Sequence, residues 1–423
     1  MTQLIRQVMK QGIVALTLML TLPLLVSAAQ ETAVLPPFAA IFAEQIYWFD
    51  GQGTSRQISD AGLARFVDNQ RQGIIDTSLV VSPNGARLAY VILANNALNI
   101  VIHDTASGDP LPFSVTLGNM PYPDLAFSPD GGSLYYREGL RFFRADLDTG
   151  ESELLFSLHP PTSGGGGGGG SSFPSDPLFW RERTGYLSGN TSIFTVTPDG
   201  LLYTPPLEFS MNPEPVGLRF YDFQSGIDSV LSETITNVVL SPEGNAVLGI
   251  EYVGDTAQIV MLSLVDGART EIPVQGTPEL VAWGDAGSNM IFYTTRARVG
   301  DVNLELLPPD MRETLYDQTG RTVDGTPIGI PRYDVTLVAR FLESAQETIL
   351  WRSDAWAIGR LAAVGDDVFF SEITGLQQWI ADIASGLQRP ENDSPSRVLF
   401  YRLDWESGAV ELVGIDIQHA VFP

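Results

Sequence analysis

A short apolar strand, a Ser-Pro turn and a second apolar strand recur along this chain, and no other feature limits the fold as strongly. The unit reads Leu79-Val-Val-Ser-Pro-Asn-Gly-Ala-Arg-Leu-Ala-Tyr-Val91 and Leu125-Ala-Phe-Ser-Pro-Asp-Gly-Gly-Ser-Leu-Tyr-Tyr136. A third copy is Val238-Val-Leu-Ser-Pro-Glu-Gly-Asn-Ala-Val-Leu-Gly-Ile250. Weaker copies start at Phe194, Leu280 and Leu361. Pro fixes φ at the first central turn position, Asn or Asp tolerates the next, and Gly takes the positive φ that follows. Such turns join antiparallel strands.

Each unit is followed by a second hairpin with an Asp near its bend and a closing Gly. Examples are Asn99–Gly108, Leu140–Gly150, Leu218–Gly226 and Val398–Gly408, with Gln258–Gly267 a close relative. Two hairpins make four strands. The turns at Ser82, Ser128 and Ser241, with Thr197 between, fall at multiples of about 45 residues once one insertion is allowed, the size of a propeller blade. A lone four-stranded sheet has two faces to bury, and radial packing of blades covers both.

The pattern Ser-Pro-Asp-Gly, an apolar pair, then Ile-Tyr-x-x-Asp-x-x-Thr-Gly resembles the TolB-like and WD-repeat-like propeller repeats of exported bacterial proteins. The resemblance spans most of residues 38–413 and is weak between 300 and 360. It implies an all-β fold, a single β-propeller of four-stranded antiparallel blades, and is nearly silent on function. TolB carries a separate domain before its propeller, whereas about fifteen residues separate the leader from the first hairpin here, so the likeness is to the repeat and not to TolB itself. Seven blades are expected, with six as the alternative. Phe38–Ala43 and Gln45–Phe49 lack a leading strand, and Val413–Val421 is a lone strand-like piece. Pairing them closes the ring and removes exposed sheet edges.

Residues 1–29 read as a signal peptide: Arg6 and Lys10, an apolar run from Gly12 to Val26, then Ser27, Ala28 and Ala29. The expected address is secreted or periplasmic, or membrane-anchored if the leader is retained, with no membrane insertion after cleavage. The propeller domain then covers 30–423. A Gly-rich loop at 159–176, containing Gly164–Gly170, interrupts it, and 300–332 reads as an irregular insertion. Across residues 300–350, Thr314–Gly320 and the pair Tyr333–Phe341 with Thr348–Trp351 compete for one place in the sixth blade.

Charge removes one class of partner. The chain has 24 basic and 50 acidic residues, net −26. Phosphate binding needs clustered Lys or Arg, so a nucleic-acid partner is excluded. Lys10 is the only lysine, which excludes a lysine base or Schiff base from the mature chain. The absence of Cys leaves stability to burial.

The catalytic inventory is thin. The three histidines are His103, His159 and His419, without metal-binding spacing. His103 sits mid-strand and reads as structural. No Gly-x-Ser-x-Gly elbow is present. Asp104, Asp146, Asp222 and Asp404 hold equivalent bend positions and are expected to cap their own turns. No cofactor is expected. A divalent cation such as calcium stays open, with Asp146/Asp148 and Asp366/Asp367 as weak candidates. Trp48, Trp283 and Trp405 read as packing between blades. Trp351, Trp356 and Trp379 lie in the least regular stretch and are the candidate partner-binding residues.

Two functions follow. The first is an extracytoplasmic, monomeric binding or scaffold module for a protein, peptide or glycan partner, with no catalysis of its own. The alternative is a propeller enzyme of lactonase, lyase or glycan-hydrolase type, using acidic residues and a divalent metal at the central channel.

Overall fold

A computed structural model describes residues 35–158, 194–204, 217–374, 380 and 397–423, with breaks at 64, 68–69, 95–96, 114, 118–123, 254–255, 307–308, 310–311 and 314–328. The leader, the Gly-rich loop and Thr314–Gly320 lie outside the described residues.

Seven antiparallel sheets follow one another along the chain. Blade 2 runs Gln70–Val81, Arg87–Ala94, Ala97–Asp104 and Val115–Leu117, with Arg65–Val67 added beside its first strand. Blade 3 is Leu125–Phe127, Ser133–Glu138, Arg141–Asp146 and Ser152–Ser157. Blade 4 is Phe194–Val196, Gly200–Tyr203, Leu218–Asp222 and Asp228–Ser232. Blade 5 is Ile235–Leu240, Ala246–Val253, Thr256–Ser263 and Arg269–Ile272. Blade 6 is Pro278–Trp283, Met290–Asp301, Pro331–Phe341 and Glu347–Ser353. Blade 7 is Ala357–Val364, Asp367–Ile373, Val398–Asp404 and Val410–Ile415.

Blade 1 closes the ring. Phe38–Phe42, Gln45–Phe49 and Ser55–Gln57 are its second to fourth strands, and Gln418–Val421 from the far end of the chain is its first. Ala39 pairs with Val421 and Ile41 with Gln418. The closing strand is shorter than the 413–421 expected. Val413 and Ile415 belong to the outermost strand of blade 7, and Asp416, with φ 59°, turns the chain between the two.

Seven apolar clusters fill the seven gaps between blades. Ile41, Trp48 and Leu88 join blades 1 and 2, and Ile100 and Phe127 join 2 and 3. Phe142 and Tyr203 join 3 and 4, and Leu218 and Val247 join 4 and 5. Ile259 and Ile291 join 5 and 6, Leu337 and Phe370 join 6 and 7, and Phe38 and Phe400 join 7 and 1. Both faces of every sheet are thereby covered, which is the physical reason a chain of amphipathic four-strand units closes into a ring. Fourth strands such as Ser152–Ser157 and Val410–Ile415 are the exposed ones, so first strands line the axis.

The Ser-Pro turns behave as their spelling predicts at three sites. Gly85, Gly131 and Gly244 have φ of 67°, 72° and 72°. Each donates its N–H to the carbonyl of the turn serine at 2.8 Å. The serine hydroxyl accepts from the strand beyond, as Ser82 Oγ does from Arg87 N at 2.9 Å. Thr-Pro-Asp-Gly in blade 4 spells the same turn but folds differently. Gly200 already pairs with Asp222 inside the second strand and does not have a positive φ. A Cβ there would stand 2.4 Å from both the Phe220 ring and the Tyr221 carbonyl. Gly200→Ala is therefore expected to cost about 1–3 kcal/mol from overpacking, read as a lower urea midpoint.

The bend aspartates cap their turns. Asp104, Asp146, Asp222 and Asp404 each accept from the N–H three residues on, at 2.7, 2.8, 2.6 and 2.9 Å. His103 is buried and structural: its ring stacks on Tyr90, and Nδ1 lies 3.0 Å from the Gly108 carbonyl. In blade 6, Tyr333–Phe341 and Thr348–Trp351 take the contested place. Of the expected insertion 300–332, residues 300–301 and 331–332 extend the paired strands and Leu304–Leu306 forms a 3-10 turn.

Candidate functional site

Turns between first and second strands, and between third and fourth, lie at one end of the propeller. The connections from second to third strand, and from blade to blade, lie at the other. The axial strands are irregular. Five of the seven carry a bulge or register shift: near that second end at 278–280 in blade 6 and 358–360 in blade 7, in mid-strand at 75–80 in blade 2 and 236–239 in blade 5, and in the closing strand opposite Ala39–Ile41. A bulge adds an unpaired residue and re-aims its side chain. The residues so displaced include Asn237, Glu279, Gly359 and His419, and Asn237 and His419 have φ of 50°. Buried hydroxyls plug two of the gaps: Ser78 Oγ accepts from Val91 N at 2.8 Å, and Thr294 Oγ1 from Leu280 N at 3.2 Å.

The displaced residues bridge adjacent blades. Asn237 Nδ2 donates to the Glu279 carbonyl at 3.1 Å, tying blade 5 to blade 6. Arg360 of blade 7 meets His419 of the closing strand, with Nη2 and Nδ1 2.7 Å apart.

Blade 6 supplies the densest cluster. Arg296 Nε lies 2.7 Å from Glu279 Oε1. Its guanidinium stacks 4.3 Å from the Tyr333 ring centroid and 5.9 Å from that of Trp356. Nη1 donates to the Trp356 carbonyl at 3.4 Å. Tyr333 and Trp356 meet edge to face at 5.2 Å. Tyr252, near the end of the second strand of blade 5, lies at the same end of the ring. Burial pushes its hydroxyl up, the Glu279 charge adds to the effect, and Arg296 opposes it. The hairpin that joins the second and third strands of blade 6 is the longest in the ring, and it carries Arg296 and Tyr333 to this end.

Of the tryptophans singled out in the sequence, Trp356 is half-buried in this cluster. Trp351 packs between blades 6 and 7 against Phe370 and Tyr401, and its Nε1 donates to Glu372 Oε2 at 2.8 Å. Trp379 lies outside the described residues. Trp48, Trp283 and Trp405 pack between blades. Asn237 and Glu279 carried no signal in the sequence because each is an extra residue in a strand pair, and Arg296, Tyr333 and Arg360 because regular strands carry them beside those bulges. No group of three or more His, Cys, Asp or Glu side chains among the described residues is placed to hold a metal ion.

Two kinds of carboxylate pull stability in opposite directions with pH. Burial raises Glu279 and Glu372 above the ordinary 4.5, against the hydrogen bonds and the cation that favour their charge. The folded state disfavours their charged forms, so stability rises as pH falls through their raised values and levels off below the ordinary one. N–H donors from Ser107, Thr149, Ser225 and Ser407 hold Asp104, Asp146, Asp222 and Asp404 below 3.8. Their contribution is present above 3.8 and is lost as pH falls through the lowered values. The melting temperature is expected to climb from neutral pH to mildly acidic pH and then fall. Glu372→Gln should flatten the climb and leave the fall, as calorimetry across pH would read.

No protein-family model matches the chain, and no curated protein matches it in sequence. Among solved structures it is similar to a prolyl endopeptidase at 11% identity, covering 88% of this chain and 46% of that one, with a TM-score of 0.52. The tricorn protease matches at 9% identity, 94% and 36% coverage and a TM-score of 0.50. TolB from Acinetobacter baumannii matches at 14% identity, 76% and 65% coverage and a TM-score of 0.39. The chain spans less than two thirds of each of these proteins. At such identities the likeness shows the β-propeller fold alone.

Proposed function

We propose that this propeller is an exported binding module that receives a protein, peptide or glycan partner at the bulged end of its ring. The supporting observation is that five of the seven axial strands carry an irregularity, two of them close to this end of the channel. Irregular backbone and left-handed non-glycine residues weaken a sheet and concentrate where a fold serves a ligand. Beside them, Arg296, Tyr333 and Trp356 form the aromatic–arginine arrangement that is enriched at binding surfaces. The apolar leader supports export.

Photocrosslinking from single positions tests this. Benzoylphenylalanine at Tyr252 or Trp356 probes the bulged end. The same probe at Val265, 81% exposed in a turn at the other end, is the reference. Adducts with a partner from 252 and 356 but not 265 are expected in cells exporting the protein. Adducts from 265 alone, or from none of the three, overturn the proposal.

A further inference from the structure

We infer that Asn84 is a modification site: its side-chain amide is lost by spontaneous deamidation, and aspartate is the product that the surrounding turn accommodates. The site lies in the Ser-Pro turn of blade 2, at the other end of the ring from the proposed binding surface, and does not depend on that proposal.

Asn84 is the only asparagine in the chain that is followed by glycine. The reaction needs the main-chain nitrogen of the next residue to reach the asparagine Cγ, and a glycine there has no side chain to block the approach. Asn84 is exposed to water. Its Oδ1 accepts from Ala86 N at 3.0 Å and from the Ser82 hydroxyl at 2.8 Å. The bond to Ala86 folds the side chain back over its own main chain, as an Asx turn does, and keeps Cγ close to Gly85 N. Among the described residues nothing is bonded to Nδ2, so the leaving group is not held.

One contact opposes the attack. Gly85 N donates to the Ser82 carbonyl at 2.8 Å, and that bond has to open first. A surface turn opens at far less cost than the fold as a whole. The nitrogen then gives up its proton to solvent and bonds to Cγ, and Nδ2 leaves as ammonia. Water opens the resulting imide. Cleavage between Gly85 N and Cγ restores the main chain with aspartate at 84. Cleavage between Gly85 N and the main-chain carbonyl carbon gives isoaspartate. Either way one water is taken up and one ammonia is released.

Blade 3 shows how this turn holds an aspartate. Asp130 has the place of Asn84 in Ser128-Pro-Asp-Gly131. Its Oδ1 accepts from the Ser128 hydroxyl and, at 2.9 Å, from Gly132 N, the same two bonds that Asn84 makes. Those donors hold the Asp130 carboxyl below its ordinary 3.8. Aspartate at 84 inherits equivalent donors as charge-assisted bonds. Isoaspartate lengthens the main chain by one carbon and loses them. The change falls on a contact between blades, since a Cβ on Gly131 of blade 3 would stand 3.0 Å from Asn84 Nδ2.

The test is incubation of the purified full chain in warm, mildly alkaline buffer. Peptide mapping by mass spectrometry follows each asparagine, and isoaspartyl methyltransferase labelling tells the two products apart. Asn84 should lose its amide at least about tenfold faster than any other described asparagine, a barrier lower by about 1.4 kcal/mol. Asn84→Asp, which installs the product directly, should melt no lower than the parent. The fraction carrying isoaspartate should unfold earlier in urea. Faster loss at another described asparagine, or an Asn84 amide that stays intact in the folded chain while the urea-unfolded chain loses it, contradicts the site. Asn84→Asp melting well below the parent, or an isoaspartate fraction that unfolds with the parent, contradicts the part given to the turn.

Discussion

A chain ended at Ile417 is expected to lose most of its stability and its single cooperative transition. The six missing residues supply the axial strand of blade 1. They also supply Phe422, whose ring packs at 5.6 Å from Phe38, 4.6 Å from Phe369 and 6.5 Å from Phe400. Removing a buried aromatic side chain alone costs about 3–5 kcal/mol. Domains are stable by only about 5–15 kcal/mol, so the further loss of a strand and of the contact between Arg360 and His419 leaves little. The truncation also exposes the inner edge of Phe38–Phe42, which invites pairing between chains. Size-exclusion chromatography should show aggregates, and urea unfolding a broad, early transition. Phe422→Ala should fall between this and the parent, at about 2–4 kcal/mol, because its ring is half-buried. A truncated chain that unfolds like the parent would mean that blade 1 does not need its fourth partner.

Arg137→Met is expected to cost about 3–5 kcal/mol, the second large effect. Arg137 ends the second strand of blade 3 and is 3% exposed, paired with the equally buried Asp124 at the entrance to that blade. Among the described residues its Nε and Nη1 have no hydrogen-bond partner. Truncating the arginine leaves a buried carboxylate without its cation, which is where the penalty arises. Asp124→Asn combined with Arg137→Met should recover much of the loss, since a buried pair replaced on both sides is often close to neutral. Chemical denaturation of the four members of this cycle gives the coupling directly. Additive losses would show that the two side chains act independently.

The fold was legible because its signals are local. Ser82, Ser128 and Ser241 announce hairpins through the chemistry of four consecutive residues, and Asp104, Asp146, Asp222 and Asp404 announce the second hairpins in the same way. The need to cover Phe38–Phe42 pointed to a strand from the far end of the chain. The limits are equally local. Thr197-Pro-Asp-Gly200 spells the common turn, yet the close approach of Phe220 and Tyr221 decides the conformation of Gly200. The extra strand Arg65–Val67 has no alternation to mark it. The candidate site was the least legible part. Trp356 stood out as an aromatic residue in an irregular stretch, but Glu279, Arg296 and Tyr333 are brought to it by a strand bulge and a long hairpin. A one-residue bulge leaves no periodic trace in a strand of six.

The bulged end exists only if the ring closes, so closure is the claim to test first. The protein has no cysteine, which makes the test clean. Ala39 and Val421 are direct partners across the closing strand pair. With cysteine at both positions, mild oxidation should convert the pair to a disulfide, read by intact mass and by loss of thiol labelling, with a raised melting temperature. Two free thiols that resist oxidation in the folded protein, or disulfides found only between chains, would contradict a ring closed by its own C-terminal strand.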